Sequence, residues 1–147
     1  MKLLINDLIL LAKESEVSNR HSAALVSNNT VYNYGVNSYT TKKINNRKII
    51  CCKHAEISVF HGIKQKDLKK ISRMLDLVVI RISKNGSLCN SMPCKNCIET
   101  LRKIGIKRIF YSDDNGNILV EDAKNITNNH VSAFNRFVSR ELPRETS

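Results

Sequence analysis

The sequence predicts a single α/β domain, because segments with strand character alternate along it with segments of helical spacing. The clearest strand is Leu75 to Ile82, a nearly unbroken apolar run typical of a central strand covered on both faces. The 147 residues, 41% of them hydrophobic, can bury one sizeable core. Two prolines and five glycines leave no evident linker, so we expect one domain over residues 1–147.

The N-terminal stretch predicts an amphipathic helix over about residues 2–15, with Leu4, Leu8 and Leu11 at helical spacing. Asn6 and Asp7 interrupt its apolar character and no small-residue cleavage site follows, which argues against a signal peptide. No segment approaches transmembrane length, and the five cysteines fit a reducing compartment. We therefore expect an intracellular, cytoplasmic protein with no membrane partner.

The next segments predict an antiparallel hairpin followed by a helix. His21 to Ser27 and Thr30 to Val36 have strand character, and Asn28-Asn29 between them suits a tight turn. Helical spacing then predicts a helix from Lys53 to Gly62, with His54 at its start.

A second helix and a further strand are predicted after the central strand. Pro93 favours a helix start, so Cys94 to Ile104 is expected to be helical and to end at Gly105. Lys107 to Tyr111 then has strand character.

The segment Asp113 to Asn117 is rich in turn residues and predicts that Ile118 to Val120 returns antiparallel to the preceding strand. Val131, Phe134 and Val138 have helical spacing and predict a last helix over about residues 128–140. The elements between the terminal helices, about residues 20–122, form the expected core that carries the motifs.

Four residues form a pattern that points to catalytic zinc. His54, Cys94 and Cys97 supply the imidazole and thiolate ligands that zinc prefers, and three protein ligands leave one position for water. Glu56 stands beside the histidine and could carry a proton to and from that water. His-x-Glu followed by Pro-Cys-x-x-Cys is the signature of the zinc nucleobase deaminases.

On these residues the chain resembles the zinc-dependent cytidine/deoxycytidylate deaminase-like superfamily, and the resemblance covers roughly Ala23 to Val120. It implies a three-layer α/β/α fold with a five-stranded mixed sheet, in which two helix starts meet around one zinc ion. It also implies hydrolytic deamination, with Glu56 moving the protons. Asn37 ends a segment that resembles the family's sugar-contacting Gly-x-Asn, while Ala55 and Ser91 lie beside the motifs as further substrate-binding candidates.

Features within the superfamily favour a small substrate. One branch, with cytidine and blasticidin deaminases and several toxin deaminases, has a C-terminal hairpin like the predicted one. The branch with deoxycytidylate, tRNA adenosine and APOBEC-type deaminases keeps those strands parallel. The ligand set points the other way, because cytidine deaminases typically carry cysteine where this chain has His54, which argues against an ordinary cytidine deaminase. Other members of the hairpin branch do use histidine. We expect a deaminase of a free cytosine nucleoside or nucleotide, in a chain that could form homo-oligomers as relatives do.

Two alternatives remain open. Residues 42–73 carry ten Lys or Arg residues against two acids, which suits either a polynucleotide substrate or a merely solvated basic face. A zinc-folded binding module without catalysis would need a fourth protein ligand, for which Cys51, Cys52 and Cys89 are the candidates. Unliganded cysteines otherwise pack as small apolar residues.

Overall fold

The computed structural model describes residues 1–128. Its helices and strands are, in chain order, α1 Lys2–Ala12, β1 Arg20–Ser27, β2 Thr30–Val36, β3 Ser38–Ile44, β4 Arg47–Lys53, α2 Ala55–Ser58, α3 Gln65–Ile71, a 3-10 turn Ser72–Met74, β5 Asp76–Ile82, β6 Leu88–Cys89, α4 Lys95–Ile104, β7 Arg108–Ser112 and β8 Ile118–Asp122. The last predicted helix, over about residues 128–140, lies outside the described residues apart from Asn128.

Five strands form the main sheet in the order β2-β1-β5-β7-β8, and the short β6 adds a sixth strand beside β5. The pair β5 and β7 is parallel, while the other pairs are antiparallel. The predicted five-stranded mixed sheet is therefore confirmed. The antiparallel return after the Asp113 to Asn117 turn is confirmed too, since Phe110 faces Val120 in the β7–β8 register.

Helices cover both faces of this sheet, as the three-layer prediction requires. On one face α1 buries Leu8 and Ala12 against Ala24, Val78 and Ile80. On the other face a second apolar cluster joins the sheet to α2 and α4. That cluster contains Ala23, Leu25, Leu77, Val79 and Ile109 from the sheet together with Ala55, Val59, Ile98 and Leu101. The central strand β5 is thus covered twice, which explains its unbroken apolar run.

Several predicted boundaries were wrong. The N-terminal helix ends at Ala12 rather than near residue 15. The predicted helix from Lys53 to Gly62 is only Ala55–Ser58, because Lys53 still belongs to β4 and turns follow the short helix. Cys94 is the residue that caps α4 rather than its first helical residue, while Gly105 ends α4 in the left-handed conformation as predicted.

The sequence reading missed β3 and β4, which form a separate antiparallel hairpin over Ser38–Lys53. Asn45 and Asn46 make its turn with φ values of 52° and 65°. The segment has five Lys or Arg residues and no acid, so we call it the basic hairpin. Within residues 1–128 its strands pair only with each other. No helix in this described part of the chain has the length and apolar content needed to span a membrane.

Candidate active site

His54 is placed by the junction of the basic hairpin with α2. It follows β4 directly and caps α2 with extended backbone, at φ −71° and ψ 148°. The short helix lies very close to β2 at Gly35, where an added Cβ would lie 2.6 Å from the Val59 amide nitrogen. Glycine therefore allows β2 to hold α2, and with it His54 and Glu56, against the sheet.

The two cysteines come from the start of α4. Cys94 caps the helix and Cys97 lies three residues on, so both thiols occupy one side of the first turn. His54 Nδ1 lies 3.2 Å from Cys97 Sγ and 3.7 Å from Cys94 Sγ. Both cysteines are buried. Two helix starts thus bring the three predicted ligands together.

These three side chains fit one zinc ion. Their ligand atoms all lie within 4.8 Å of one another, and in residues 1–128 no other histidine, cysteine or acid belongs to such a group. Tetrahedral zinc with ordinary bond lengths separates its nitrogen and sulfur ligands by about 3.6 Å, close to the two distances found. The other three cysteines are free thiols, so the described residues supply no fourth protein ligand.

The three ligands also perturb one another's protonation. The hydrogen bond from the Cys97 thiol is the largest cause that lowers the pKa of Cys94 to about 4. The same hydrogen bond, followed by burial, raises the pKa of Cys97 above its usual range. The hydrogen bond between His54 and Cys94 raises the pKa of His54, against the opposing effect of burial. Zinc binds thiolate and neutral imidazole, so its binding would displace protons from this cluster.

Glu56 lies beside the ligand cluster and is nearly inaccessible to solvent, with 4% of its surface exposed. One of its carboxylate oxygens, Oε2, lies 3.8 Å from His54 Nδ1. It is the acid among the buried polar side chains of the described residues. A buried carboxylate this close to a metal-ligand atom can exchange a proton with a molecule held there.

The cluster opens into a cavity of about 1290 Å³. His54, Glu56 and Cys94 line it, as do Ala55 and Asn37. Two of the three predicted metal ligands, the predicted acid and two of the three predicted substrate-binding residues thus line one space. Cys97 is not in the lining, although its Sγ lies 3.2 Å from His54 Nδ1. Ser91 lies outside the lining.

Asn37 contributes a wall of the cavity through a side chain that is itself held firmly. Its Oδ1 accepts hydrogen bonds from the His21 amide at 2.9 Å and the Ser15 hydroxyl at 2.6 Å. Its Nδ2 donates to the Asn19 carbonyl oxygen at 2.5 Å and approaches Cys52 Sγ at 3.9 Å. Asn37 thus fixes the connection between α1 and β1 at the cavity floor, and its contact with a sugar remains a prediction.

Ser91 uses its hydroxyl inside the sheet. Its Oγ donates to the Val79 carbonyl oxygen at 2.9 Å and accepts from the Ser112 amide at 2.8 Å. These bonds join the segment before α4 to β5 and β7, so Ser91 attaches the loop that leads to Cys94 to the sheet. Its role in substrate binding also remains a prediction.

Arg47 and Lys48, which belong to the basic window noted in the sequence over residues 42–73, line the cavity. Three further lining residues were not singled out as functional from the sequence: Asn19 in the loop before β1, His21 in β1 and Arg81 near the end of β5. No local motif marks these three. A signal for His21 and Arg81 would have required the β1–β5 register, which places them opposite each other.

The chain matches the model of a known protein family over most of its length. The model of the cytidine and deoxycytidylate deaminase zinc-binding region matches residues 2–113. The chain belongs to this family. Its zinc-ligand cluster is compatible with one catalytic zinc ion. Membership supports a hydrolytic deaminase that acts on a carbon–nitrogen bond.

Solved structures similar to this deaminase-family chain include the dCMP deaminase from the cyanophage S-TIM5 in complex with dCMP and dUMP. It is 14% identical, with a TM-score of 0.49 and coverage of 77% of this chain and 80% of that chain. RibD from Acinetobacter baumannii is 13% identical, with a TM-score of 0.46 and coverage of 76% of this chain and 27% of that one. A search of the curated proteins gives no significant match. At this level of similarity neither structure informs the substrate.

Proposed function

We propose that this protein is a zinc-dependent hydrolytic deaminase of a cytosine nucleoside or nucleotide, which it converts to the uracil product and ammonia. The observation that carries the proposal is the buried Glu56 carboxylate, 3.8 Å from His54 Nδ1 and facing the same cavity as the ligand cluster. A purely structural zinc site does not require a buried acid that is not a ligand. Hydrolysis does require one, because a group beside the metal must carry protons between the water and the substrate.

His54, Cys94 and Cys97 would hold the metal, and zinc bound there would supply an activated water as the nucleophile. Glu56 would accept one proton of the attacking water as the water oxygen bonds to C4 of the base, and would pass that proton to the ring nitrogen. It would then take the second proton from the new C4 hydroxyl and give it to the departing amino group. One water is consumed, the C4–N bond breaks, and ammonia leaves a carbonyl at C4.

Ala55 and Asn37 would position the substrate in this scheme. Ala55 is the first residue of α2, where backbone N–H groups lack partners within the helix and can donate to a base edge. Asn37 lies in the same cavity wall and would contact the sugar, while Ser91 would act from the loop before Cys94. Preorganised donors of this kind are effective because they need no rearrangement during the reaction.

The test is ammonia release by the zinc-loaded full chain from cytidine, deoxycytidine and their 5′-monophosphates. We expect turnover of at least one compound and a loss of about 10²-fold or more in Glu56→Ala. The matched control is Glu99→Ala, which removes an exposed acid from α4 outside the cavity lining. Zinc content of both variants should equal that of the unchanged protein. Full activity in Glu56→Ala would contradict the role proposed for Glu56, whereas no ammonia release from any of these compounds by the unchanged protein would favour a non-catalytic zinc module.

A second candidate, deamination of cytosine or adenine within single-stranded DNA or RNA, is favoured by the basic hairpin. Its residues Arg47 and Lys48 line the cavity, and Tyr39 and Ile50 are 49% and 72% exposed. A cationic surface with an exposed aromatic ring suits a phosphate backbone and a stacked base. The cavity of about 1290 Å³ also exceeds the about 300–1,000 Å³ usual for small-molecule sites.

This candidate predicts that binding of a single-stranded oligonucleotide weakens steeply with salt, in proportion to the phosphates neutralised. The double variant Arg47→Gln/Lys48→Gln should reduce the slope of log K against log salt by about 1.4. The control Lys103→Gln/Lys107→Gln removes the same charge outside the cavity lining. Oligonucleotide binding that does not change with salt concentration would contradict this second function. Equal slopes of log K against log salt in the two double variants would contradict it too.

A further inference from the structure

Arg81 is a cavity residue whose guanidinium forms no salt bridge within the described part of the chain. It lies near the end of β5 and lines the same cavity as Glu56 and Cys94. Within residues 1–128 it makes no salt bridge, whereas the guanidinium of Arg108 is paired with Asp76 through two hydrogen bonds. A partly buried guanidinium without a carboxylate is a candidate anion site.

The strand register places Arg81 on the face of the sheet that carries the active site. His21 lies opposite Arg81 in the antiparallel β1–β5 pair, and the next pair on the same face is Ala23 with Val79. Ala23 and Val79 pack in one cluster with Ala55, the residue between His54 and Glu56. Two residues along a strand span about 7 Å. Arg81 therefore lies two residues along β5 from Val79, which packs in the same cluster as Ala55 of α2.

The Arg81 guanidinium is held in place while leaving donors for a ligand. Its Nη2 donates to Asn19 Oδ1 at 3.1 Å. Asn19 is fixed in turn, since its carbonyl oxygen accepts from Asn37 Nδ2 at 2.5 Å and contacts His21 Nδ1 at 2.9 Å. Among the described residues, the buried Nε of Arg81 meets no acceptor. An unmet buried donor is costly, and a small rotation of the guanidinium toward an oxyanion would satisfy it.

Three cationic side chains and two acidic side chains line the cavity, which gives its walls a small positive excess. Arg47, Lys48 and Arg81 line it against the two acids Glu56 and Asp114. Glu56 belongs to the ligand cluster, and Asp114 Oδ1 accepts the Asn90 amide at 2.9 Å. The planar guanidinium fork matches two oxygens of a phosphate monoester, which carries close to two negative charges at neutral pH.

We propose that Arg81, supported by Asn19 and next to His21, binds the phosphate of the substrate, so that the substrate is a cytosine nucleoside 5′-monophosphate. This inference rests on the proposed deaminase function and selects among its substrates. Arg81 is then a specificity-determining residue: it holds the phosphate while the base lies at the zinc ligands and Glu56.

The deciding experiment measures binding and turnover separately. Zinc-loaded Glu56→Ala protein is titrated calorimetrically with cytidine, deoxycytidine and their 5′-monophosphates, alone and combined with Arg81→Gln. We expect the monophosphates to bind at least about tenfold more tightly than the nucleosides. Arg81→Gln should lower monophosphate affinity about 10- to 100-fold and change nucleoside affinity less than about twofold. The charge control Lys103→Gln should change neither.

Turnover should follow the same pattern in proteins that keep Glu56. In Arg81→Gln, kcat/KM should fall for the monophosphates alone, mainly through KM, and Arg81→Lys should give an intermediate loss because it keeps the charge without the fork. If Arg81→Gln does not fold, judged by circular dichroism and zinc content, Arg81→Lys alone decides.

Three results would overturn the proposal: tighter binding of nucleosides, equal losses for both substrate classes in the Arg81 variants, or binding of single-stranded oligonucleotide only. Failure of the deaminase function itself is distinguishable. The unchanged protein would then release no ammonia from any cytosine compound, while the titrations would still show whether Arg81 selects a monophosphate.

Discussion

The central strand and the two strands of the basic hairpin are equally long, with seven residues each, but their side chains lie in opposite environments. In β5, Leu77 to Ile80 are completely buried between two helical layers. In the basic hairpin, Cys51 is the buried residue. The sheet holds the zinc ligands in place by packing, whereas the hairpin supplies a charged wall of the cavity. The sheet therefore contributes packing, whereas the hairpin contributes charge.

The largest expected effect comes from the packed region. Leu101→Ala on α4 should lower the free energy of unfolding by about 2–5 kcal/mol, because Leu101 is fully buried and its removal leaves a cavity. Ile50→Ala on the basic hairpin, where the side chain is 72% exposed, should stay within about 0.5 kcal/mol. Urea denaturation of both variants measures this. Comparable losses would mean that the hairpin is part of the core.

A smaller but more informative effect is expected at Gly35. Gly35→Ala places a Cβ 2.6 Å from the Val59 amide nitrogen, so α2 must shift, at a cost of about 1–3 kcal/mol. Activity should fall more than stability explains, since α2 carries Glu56 and begins at His54. Gly62→Ala is the control: its Cβ meets nothing within 4 Å, and only its φ of +82° is strained. Unchanged turnover in folded Gly35→Ala would show that α2 need not touch β2.

Ser91 can be tested for two roles, which are structural support of the segment before Cys94 and contact with the substrate. Ser91→Ala leaves the buried Ser112 amide and the Val79 carbonyl oxygen with one partner fewer, which should cost about 1–3 kcal/mol. Ser87→Ala, at an exposed position in the turn before β6, should be within about 0.5 kcal/mol. Thermal denaturation and kcat/KM are measured together. A loss of kcat/KM in Ser91→Ala that keeps its stability and its zinc content would favour the predicted substrate role.

The smallest expected effect is that of a charge reversal at Lys43, which should stabilise the hairpin and weaken nucleic-acid binding. Lys43 and Lys48 lie directly opposite in the β3–β4 register, and like charges at such positions repel. Lys43→Glu should therefore stabilise the hairpin by about 0.2–1 kcal/mol, seen as slower amide hydrogen exchange in β3 and β4. It should also weaken oligonucleotide binding. Lys43→Gln separates the two contributions, because it removes the repulsion without adding attraction. Faster exchange in Lys43→Glu would contradict the assigned register.

The elements that sequence reasoning predicted correctly are those with a strong local signal. The apolar run of β5, the Asn28-Asn29 turn and the Gly105 helix end each act through their own residues. The candidate zinc ligands could be named because Cys94 and Cys97 stand three residues apart at the start of α4, and the structure brings their sulfur atoms close to His54. Their binding of zinc stays a prediction.

The features that were missed depend on partners elsewhere in the chain. The basic hairpin buries little, so its residues alternate too weakly to indicate a strand. The predicted helix from Lys53 was too long because Lys53 is the last residue of β4 and because the packing of α2 on Gly35 overrode helical spacing. Arg81 becomes a site residue only through its register with His21, which no local pattern of the sequence contains.

The basic hairpin is attached to the rest of the chain by two single residues. Asn37 alone separates β2 from β3, and His54 alone separates β4 from α2. A rotation of the hairpin as a rigid body would therefore change the backbone dihedral angles of these two residues first. One is a zinc ligand candidate and the other fixes the cavity floor. No further residue separates the hairpin from the candidate metal ligand His54, so a displacement of the hairpin is expected to move that ligand.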